Sequence, residues 1–80
     1  MPEEFKTARK VVGVRQLSKA IRRGEVLTVF LAKDADPAVT EPVQALAEAA
    51  GVQIRWVDSM RALGAACGIS VGASAAGTLK

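Results

Sequence analysis

Val26-Leu27-Thr28-Val29-Phe30-Leu31-Ala32 is an almost unbroken apolar run, rich in β-branched and aromatic side chains. A strand with one face in water alternates apolar and polar residues, whereas a continuous run belongs in the middle of a sheet covered on both faces. Such a strand constrains the chain to a layered fold, because each face of the sheet needs a cover. The flanking segments have the periodicity to supply one. Before the run, Val14 to Arg23 carries an apolar stripe of Leu17, Ala20 and Ile21, and Gly24 stands where a left-handed C-cap is expected. After it, Lys33-Asp34-Ala35-Asp36-Pro37 reads as a turn. Asp36 is placed to cap a short helical turn, and Thr40 to cap a longer helix with Pro42 in its first turn.

That longer helix shows Val43, Leu46, Ala47 and Ala50 and stops at Gly51. Val52 to Val57 alternates and reads as a strand. Asp58-Ser59 then caps a helix through Met60, Leu63, Ala66 and Cys67, ending at Gly68. Val71 to Leu79 is expected to be the last strand. Its small residues, Gly72, Ala73, Ser74, Ala75, Ala76 and Gly77, imply that a helix packs closely on it. At the start, Pro2-Glu3-Glu4 reads as a helix beginning, with Phe5, Ala8 and Val12 at helical spacing before Gly13 interrupts. Helices alternating with strands predict an α/β layered sandwich around a small sheet. The length of 80 residues fits a single domain over 1–80.

Charge is unevenly spread. Residues 1–23 hold seven of the eleven cations (Lys6, Arg9, Lys10, Arg15, Lys19, Arg22 and Arg23) against two acids, Glu3 and Glu4, while the rest of the chain is net acidic. One basic surface suits an anionic polymer, although two ordinary helices with solvated basic faces would have the same composition. The lone Cys67 fits a reducing cytoplasm. No segment is apolar and long enough to span a bilayer, and no signal-peptide pattern is present. A cytoplasmic location is expected.

Catalytic chemistry finds little support. Histidine is absent, which removes the commonest general base and the usual zinc constellations. Neither phosphate-binding glycine motif occurs. The serine in Gly68-Ile69-Ser70-Val71-Gly72 has nucleophile-elbow spacing but no histidine to serve it. Asp34 and Asp36 lack further oxygen ligands for a cation and read as turn and cap residues. Cys67 reads as a small core residue. No enzyme, metal site or cofactor is expected.

Gly13-Val14-Arg15-Gln16-Leu17-Ser18-Lys19 is the most informative stretch for function. Gly13 opens a helix whose first turn presents Arg15 and Gln16, and Lys19 shares the face of Arg15 because residues four apart do so. A planar guanidinium, a two-way amide and a mobile ammonium suit base edges flanked by phosphates.

With three further stretches, this one resembles the kink-turn RNA-binding superfamily of ribosomal protein L-seven-Ae, most closely its small bacterial YbxF-type members. The others are Ala32-Lys33-Asp34-Ala35-Asp36-Pro37, then Val57-Asp58-Ser59-Met60, then Leu63-Gly64-Ala65-Ala66-Cys67-Gly68-Ile69-Ser70-Val71-Gly72. The resemblance covers essentially the whole chain. It implies a three-layer α-β-α sandwich with a small mixed sheet of about four strands. It also implies binding to kink-turns, sharply bent RNA helices in which an internal loop adjoins tandem sheared G·A pairs. Gly13, Arg15, Gln16 and Lys19 would enter at those pairs, with Gln16 and Lys19 on guanine edges and Arg15 on an edge or a phosphate. The loop of Gly68, Ile69, Ser70 and Val71 would pack on the bulged nucleotides, with at least one of Ile69 and Val71 partly exposed. Asp36 and Thr40 fall near the position of an extruded base, and Lys33 is counted among the RNA-binding residues. Arg15-Gln16 stands where archaeal and eukaryotic relatives carry Asn-Glu, and Val71 where many carry a basic residue. The implied partner is a structured RNA such as ribosomal RNA, bound by a monomer. The competing reading is a protein-interaction module on the same fold, since Phe5, Phe30 and Trp56 look like core or strand residues and not base platforms.

Overall fold

The computed structural model describes residues 9–80. The helix expected to begin at Pro2-Glu3-Glu4, with Phe5 and Ala8, lies outside the described residues. The elements in chain order are β1 (Lys10–Val12), α1 (Val14–Arg22), β2 (Val26–Ala32), α2 (Pro37–Ala49), β3 (Gln53–Val57), α3 (Met60–Ala66) and β4 (Ala75–Leu79). The strands form one sheet in the order β1-β4-β2-β3. β4 runs antiparallel to both neighbours, and β2 and β3 are parallel, joined through α2.

β2 sits inside the sheet, as its unbroken apolar run requires. Val26, Val29 and Leu31 pack with Leu17, Ala20 and Ile21 of α1 and Val43 and Ala47 of α2. Phe30 and Ala32 face the other way, against Leu63 of α3 and Ala76 of β4. The three described helices thus cover both faces of a mixed sheet, which makes the α-β-α sandwich. Each fully buried Leu, Val or Phe contributes roughly 1.5–3 kcal/mol by leaving water. The close helix approach expected at the small residues of the last strand is found at Gly77. A Cβ there would lie 2.6 Å from Leu17 Cδ1 and 3.2 Å from the Thr28 carbonyl oxygen.

Four local expectations are corrected. Val12 belongs to a strand, because Lys10–Val12 pairs with Ala76–Thr78 of β4. The last strand begins at Ala75, and residues 71–74 form a loop held against α3. α2 is one continuous helix from Pro37, so Thr40 lies inside it, buried at 4% exposure, and caps nothing. Asp36 is the N-cap of the whole helix, its carboxylate accepting from the Ala38 N–H at 2.9 Å. With Pro37 in the first turn this start outcompetes one at Thr40, and Pro42 is accommodated inside the helix. β3 begins one residue later than the alternating pattern implies.

Candidate nucleic-acid interface

The strand directions bring the informative stretches to one end of the sheet. β2 and β3 finish there, with Ala32 opposite Val57. β4 begins there, with Ala75 opposite Leu31, and β1 finishes there, with Val12 opposite Ala76. Consequently Gly13, Lys33–Asp36, Asp58–Ser59 and the last residues of the 68–74 loop lie at this end. Backbone hydrogen bonds lock them together. The Gly13 N–H donates to the Ala75 carbonyl at 3.0 Å, the Ala32 N–H to the Ser74 carbonyl at 3.0 Å, and the Lys33 N–H to the Val57 carbonyl at 2.8 Å.

Three helices start at this end, and two of them are capped internally. α2 has the Asp36 carboxylate. α3 has the Ser59 hydroxyl accepting from the Ala62 N–H at 3.0 Å, and the Asp34 carboxylate accepting from the Met60 N–H at 2.7 Å. These bonds also separate the roles of Asp34 and Asp36, each of which satisfies a different helix. α1 has no such cap. Gly13 precedes it with φ 99° and ψ 147°, a conformation suited to glycine, and no side chain caps the helix. The amides of its first turn have no intrahelical acceptor. There is no acid in that turn, and the exposed Arg15 stands where a helix ordinarily favours a carboxylate. Arg15, Gln16 and Lys19 are all exposed, so the tip of α1 presents donors to an outside acceptor.

The second part of the interface is the loop after α3. The thiol of Cys67 at the helix end is half-buried, and burial pushes its pKa up while nearby Lys10 opposes the shift. Gly68 then turns the chain with φ 79°. The loop lies directly on α3: a Cβ at Gly64 would overlap the Val71 carbonyl, and one at Gly72 would lie 3.1 Å from Met60 Cβ. The Ala73 N–H donates to the Met60 carbonyl at 3.0 Å, and the Ser74 hydroxyl lies 3.5 Å from Met60 Sδ. With its backbone held inward, the loop exposes Ile69 at 38% and Val71 at 69%. Both members of this pair are therefore partly exposed.

The remaining expected site residues lie at the same end with differing access. Lys33 is exposed, its ammonium 3.5 Å from the Asp58 carboxylate. Asp36 is exposed beside the start of α2, and Thr40 is buried one turn further along. Trp56 is a strand residue, one of the two roles expected of it, and not a core one. It sits on the outer strand β3 at 45% exposure, beside Leu31 in the register, one residue from the interface end. Alternation in 52–57 marks this strand as half-covered, but it does not identify which side chain stays open.

Among the described residues no helix is long and apolar enough to cross a membrane, and no group of three or more His, Cys, Asp or Glu could hold a metal ion. What the arrangement can do is accept an anionic partner at the α1 tip while the adjacent loop lays apolar side chains on flat surfaces.

Residues 2–80 match the Ribosomal protein L7Ae/L30e/S12e/Gadd45 family. An RNA-binding protein from Bacillus pumilus (strain SAFR-032) is 52% identical over 65 residues, covering 81% of this chain and 79% of the relative. RNA-binding protein YbxF from Geobacillus stearothermophilus is 44% identical over 70 residues, covering 88% and 85% respectively. Among solved structures, the Giardia lamblia 15.5kD RNA binding protein matches with a TM-score of 0.84 at 32% identity, over 92% of this chain but 62% of that one.

Proposed function

This chain belongs to the Ribosomal protein L7Ae/L30e/S12e/Gadd45 family, and from that premise we propose that it binds structured RNA by recognising kink-turns. The observation that carries the reading is the juxtaposition, at one sheet end, of an uncapped basic helix tip and an exposed apolar loop. The major groove of regular A-form RNA is too narrow for side chains to read, and a kink with an internal loop opens it. A kink also crowds phosphates, so a cationic tip gains more there than on a straight duplex. Gln16 and Lys19 read guanine edges of the sheared pairs, and Arg15 takes an edge or a phosphate. Gly13 allows the close approach. Gly68, Ile69, Ser70 and Val71 cover the bulged nucleotides. Asp36, with Thr40 behind it and Lys33 nearby, borders the space for an extruded base.

The whole chain, residues 1–80, acts as a single RNA-binding domain, monomeric and cytoplasmic, without a cofactor, and its RNA is ribosomal or another structured transcript. The similarly named relatives support RNA as the partner, and nothing in the site calls for catalysis. A protein-interaction module needs a contiguous exposed apolar patch. Among the described residues Leu27 and Trp56, the exposed large apolar residues outside the loop, do not form one, because Trp56 pairs with Leu31 and Leu27 lies four residues earlier on β2, about 13 Å away.

The test is titration of the protein with a kink-turn RNA and with a variant lacking the sheared G·A pairs, each at two salt concentrations. Selective binding to the intact kink-turn is expected. Equal, steeply salt-dependent binding to both would reduce the interface to a basic surface, and binding to neither would favour the protein-interaction reading.

A further inference from the structure

The two outer strands of the sheet differ in how much they leave available. β1 spans three residues, whereas β3 spans five, Gln53–Val57, without proline or glycine. β3 pairs with β2 alone, so among the described strands its outer edge has no partner. Such an edge presents a row of main-chain donors and acceptors, a template for a further strand about 4.8 Å away.

The side chains on its two faces decide what can fill it. Ile54 and Trp56 lie opposite Val29 and Leu31, which pack with α1 and α2, so they share that face. Trp56 stands nearly half exposed there. On α2, Thr40, Val43 and Ala47 are buried, while Glu41, Gln44 and Glu48 recur at three- and four-residue spacing along one flank. The right-handed crossover from β2 through α2 to β3 turns this flank toward the β3 edge. Both glutamates are exposed, neither is ion-paired within the described residues, and α2 carries no cation. Glu48 stands in the last turn, at the negative end of the helix, where an acid is disfavoured. The opposite face is the reverse. Arg55, the only charge on the strand, lies there beside Phe30, on the side covered by α3.

We propose that β3 is a docking edge for an extended segment of another protein, which adds to it as a fifth strand and carries lysine or arginine at alternate positions. The cations meet the face of Trp56 and the two glutamates of α2, and the positions beside Arg55 are uncharged or acidic. Main-chain hydrogen bonds supply the affinity of an added strand, so no broad apolar patch is needed. A second copy of this chain lacks the pattern. In a two-fold pair of β3 strands like faces meet, so the copy brings Ile54 and Trp56 to the α2 face and no cation. β1, which leads into the α1 tip, lies at the opposite edge of the sheet, so the docking edge is separate from that tip.

The test titrates the full chain with a synthetic peptide that alternates lysine with threonine. It follows the emission of Trp56, the single tryptophan of the chain, and amide exchange over residues 53–57. Control peptides hold the same lysines in one block, carry glutamate for lysine, or are N-methylated on one or the other alternate set of amides. The protein variant is E41Q/E48Q, its folding checked by thermal melt. Expected are a saturable change in Trp56 emission and slower exchange with the alternating lysine peptide. Binding should weaken several-fold with the block peptide, with one of the two methylation patterns and with E41Q/E48Q, which should bind kink-turn RNA no more weakly than the parent. Equal binding of block and alternating peptides, or indifference to both methylation patterns, would reduce the effect to bulk charge and overturn the proposal. So would a preference for the glutamate peptide, a folded variant that binds as the parent does, or no response to any peptide. Dimerisation of the chain alone, with the same protection of residues 53–57, would assign the edge to a second copy instead.

Discussion

The N-termini of α1 and α3 meet the same end of the sheet and are built in opposite ways. At α3, Ser59 and Asp34 satisfy the first-turn amides from within the protein. At α1, glycine replaces the capping side chain and Arg15 occupies the turn where an acid would be favourable. The difference separates a terminus satisfied within the fold from one whose donors stay open, the one proposed above to meet RNA. α3 uses its first turn to anchor the loop that carries Ile69 and Val71. α1 gives up local stabilisation and keeps its donors available.

The largest expected effect breaks the α3 side of this contrast. In Gly64→Ala the new Cβ would overlap the Val71 carbonyl, so either the loop or the helix must shift. A stability loss of about 3 kcal/mol is expected by chemical denaturation, with weakened RNA binding; an unchanged midpoint would mean the loop moves away easily. On the α1 side, the Gln16→Ala, Lys19→Ala double variant should lose about 2 kcal/mol of binding to a kink-turn. Its melting temperature should hardly move, since both side chains are exposed. Parent-like binding at moderate salt would exclude this helix face from recognition.

Ser59→Ala sharpens the comparison by removing a cap from the helix that uses one. A loss of about 1 kcal/mol in stability is expected, with kink selectivity retained in the folded protein, as equilibrium unfolding and RNA titration together will show. Arg15→Glu does the reverse: it supplies the acid that α1 lacks. Here stability should rise by about 0.5 kcal/mol while RNA binding weakens, and a variant that gained stability without losing affinity would show that Arg15 has no part in the interface.

The smallest expected effect concerns Cys67. Burial raises its pKa in the fold, so the folded chain keeps the neutral thiol to higher pH than the unfolded chain. Its stabilising contribution is therefore present below the ordinary thiol range and declines as pH rises through that range toward the folded value. Alkylation of the native protein at mildly alkaline pH should be slower than in denaturant, and equal rates would place the thiol in open solvent.

What could be read from residues alone follows from how local each determinant is. β2 announced itself because a continuous apolar run has few other uses, and Gly24, Asp36 and Ser59 carried chemistry that acts within a turn of themselves. β1 did not, because Val12 fits the spacing set by Phe5 and Ala8, while its strand character depends on partners more than sixty residues away. Residues 71–74 have the small composition of the strand they precede, and only their contact with Gly64 and Met60 makes them a loop. For the candidate site, the exposed cluster at the α1 tip was legible in Gly13 through Lys19. The burial of Thr40 and the exposure of Trp56 were not, since both depend on where α2 begins and how far it covers β3.

The placement of β4 has a consequence for synthesis. It comes last among the described elements yet lies between β1 and β2. During translation β2, α2 and β3 can associate as neighbours in sequence, but β1 has no partner in the sheet until residues 75–79 emerge. The anchor that fixes the α1 tip, the Ala75 carbonyl, arrives with the same strand. A ribosome stalled before that point holds a chain in which the proposed recognition surface has not been assembled, so on that reading the chain becomes competent only after β4 has been made.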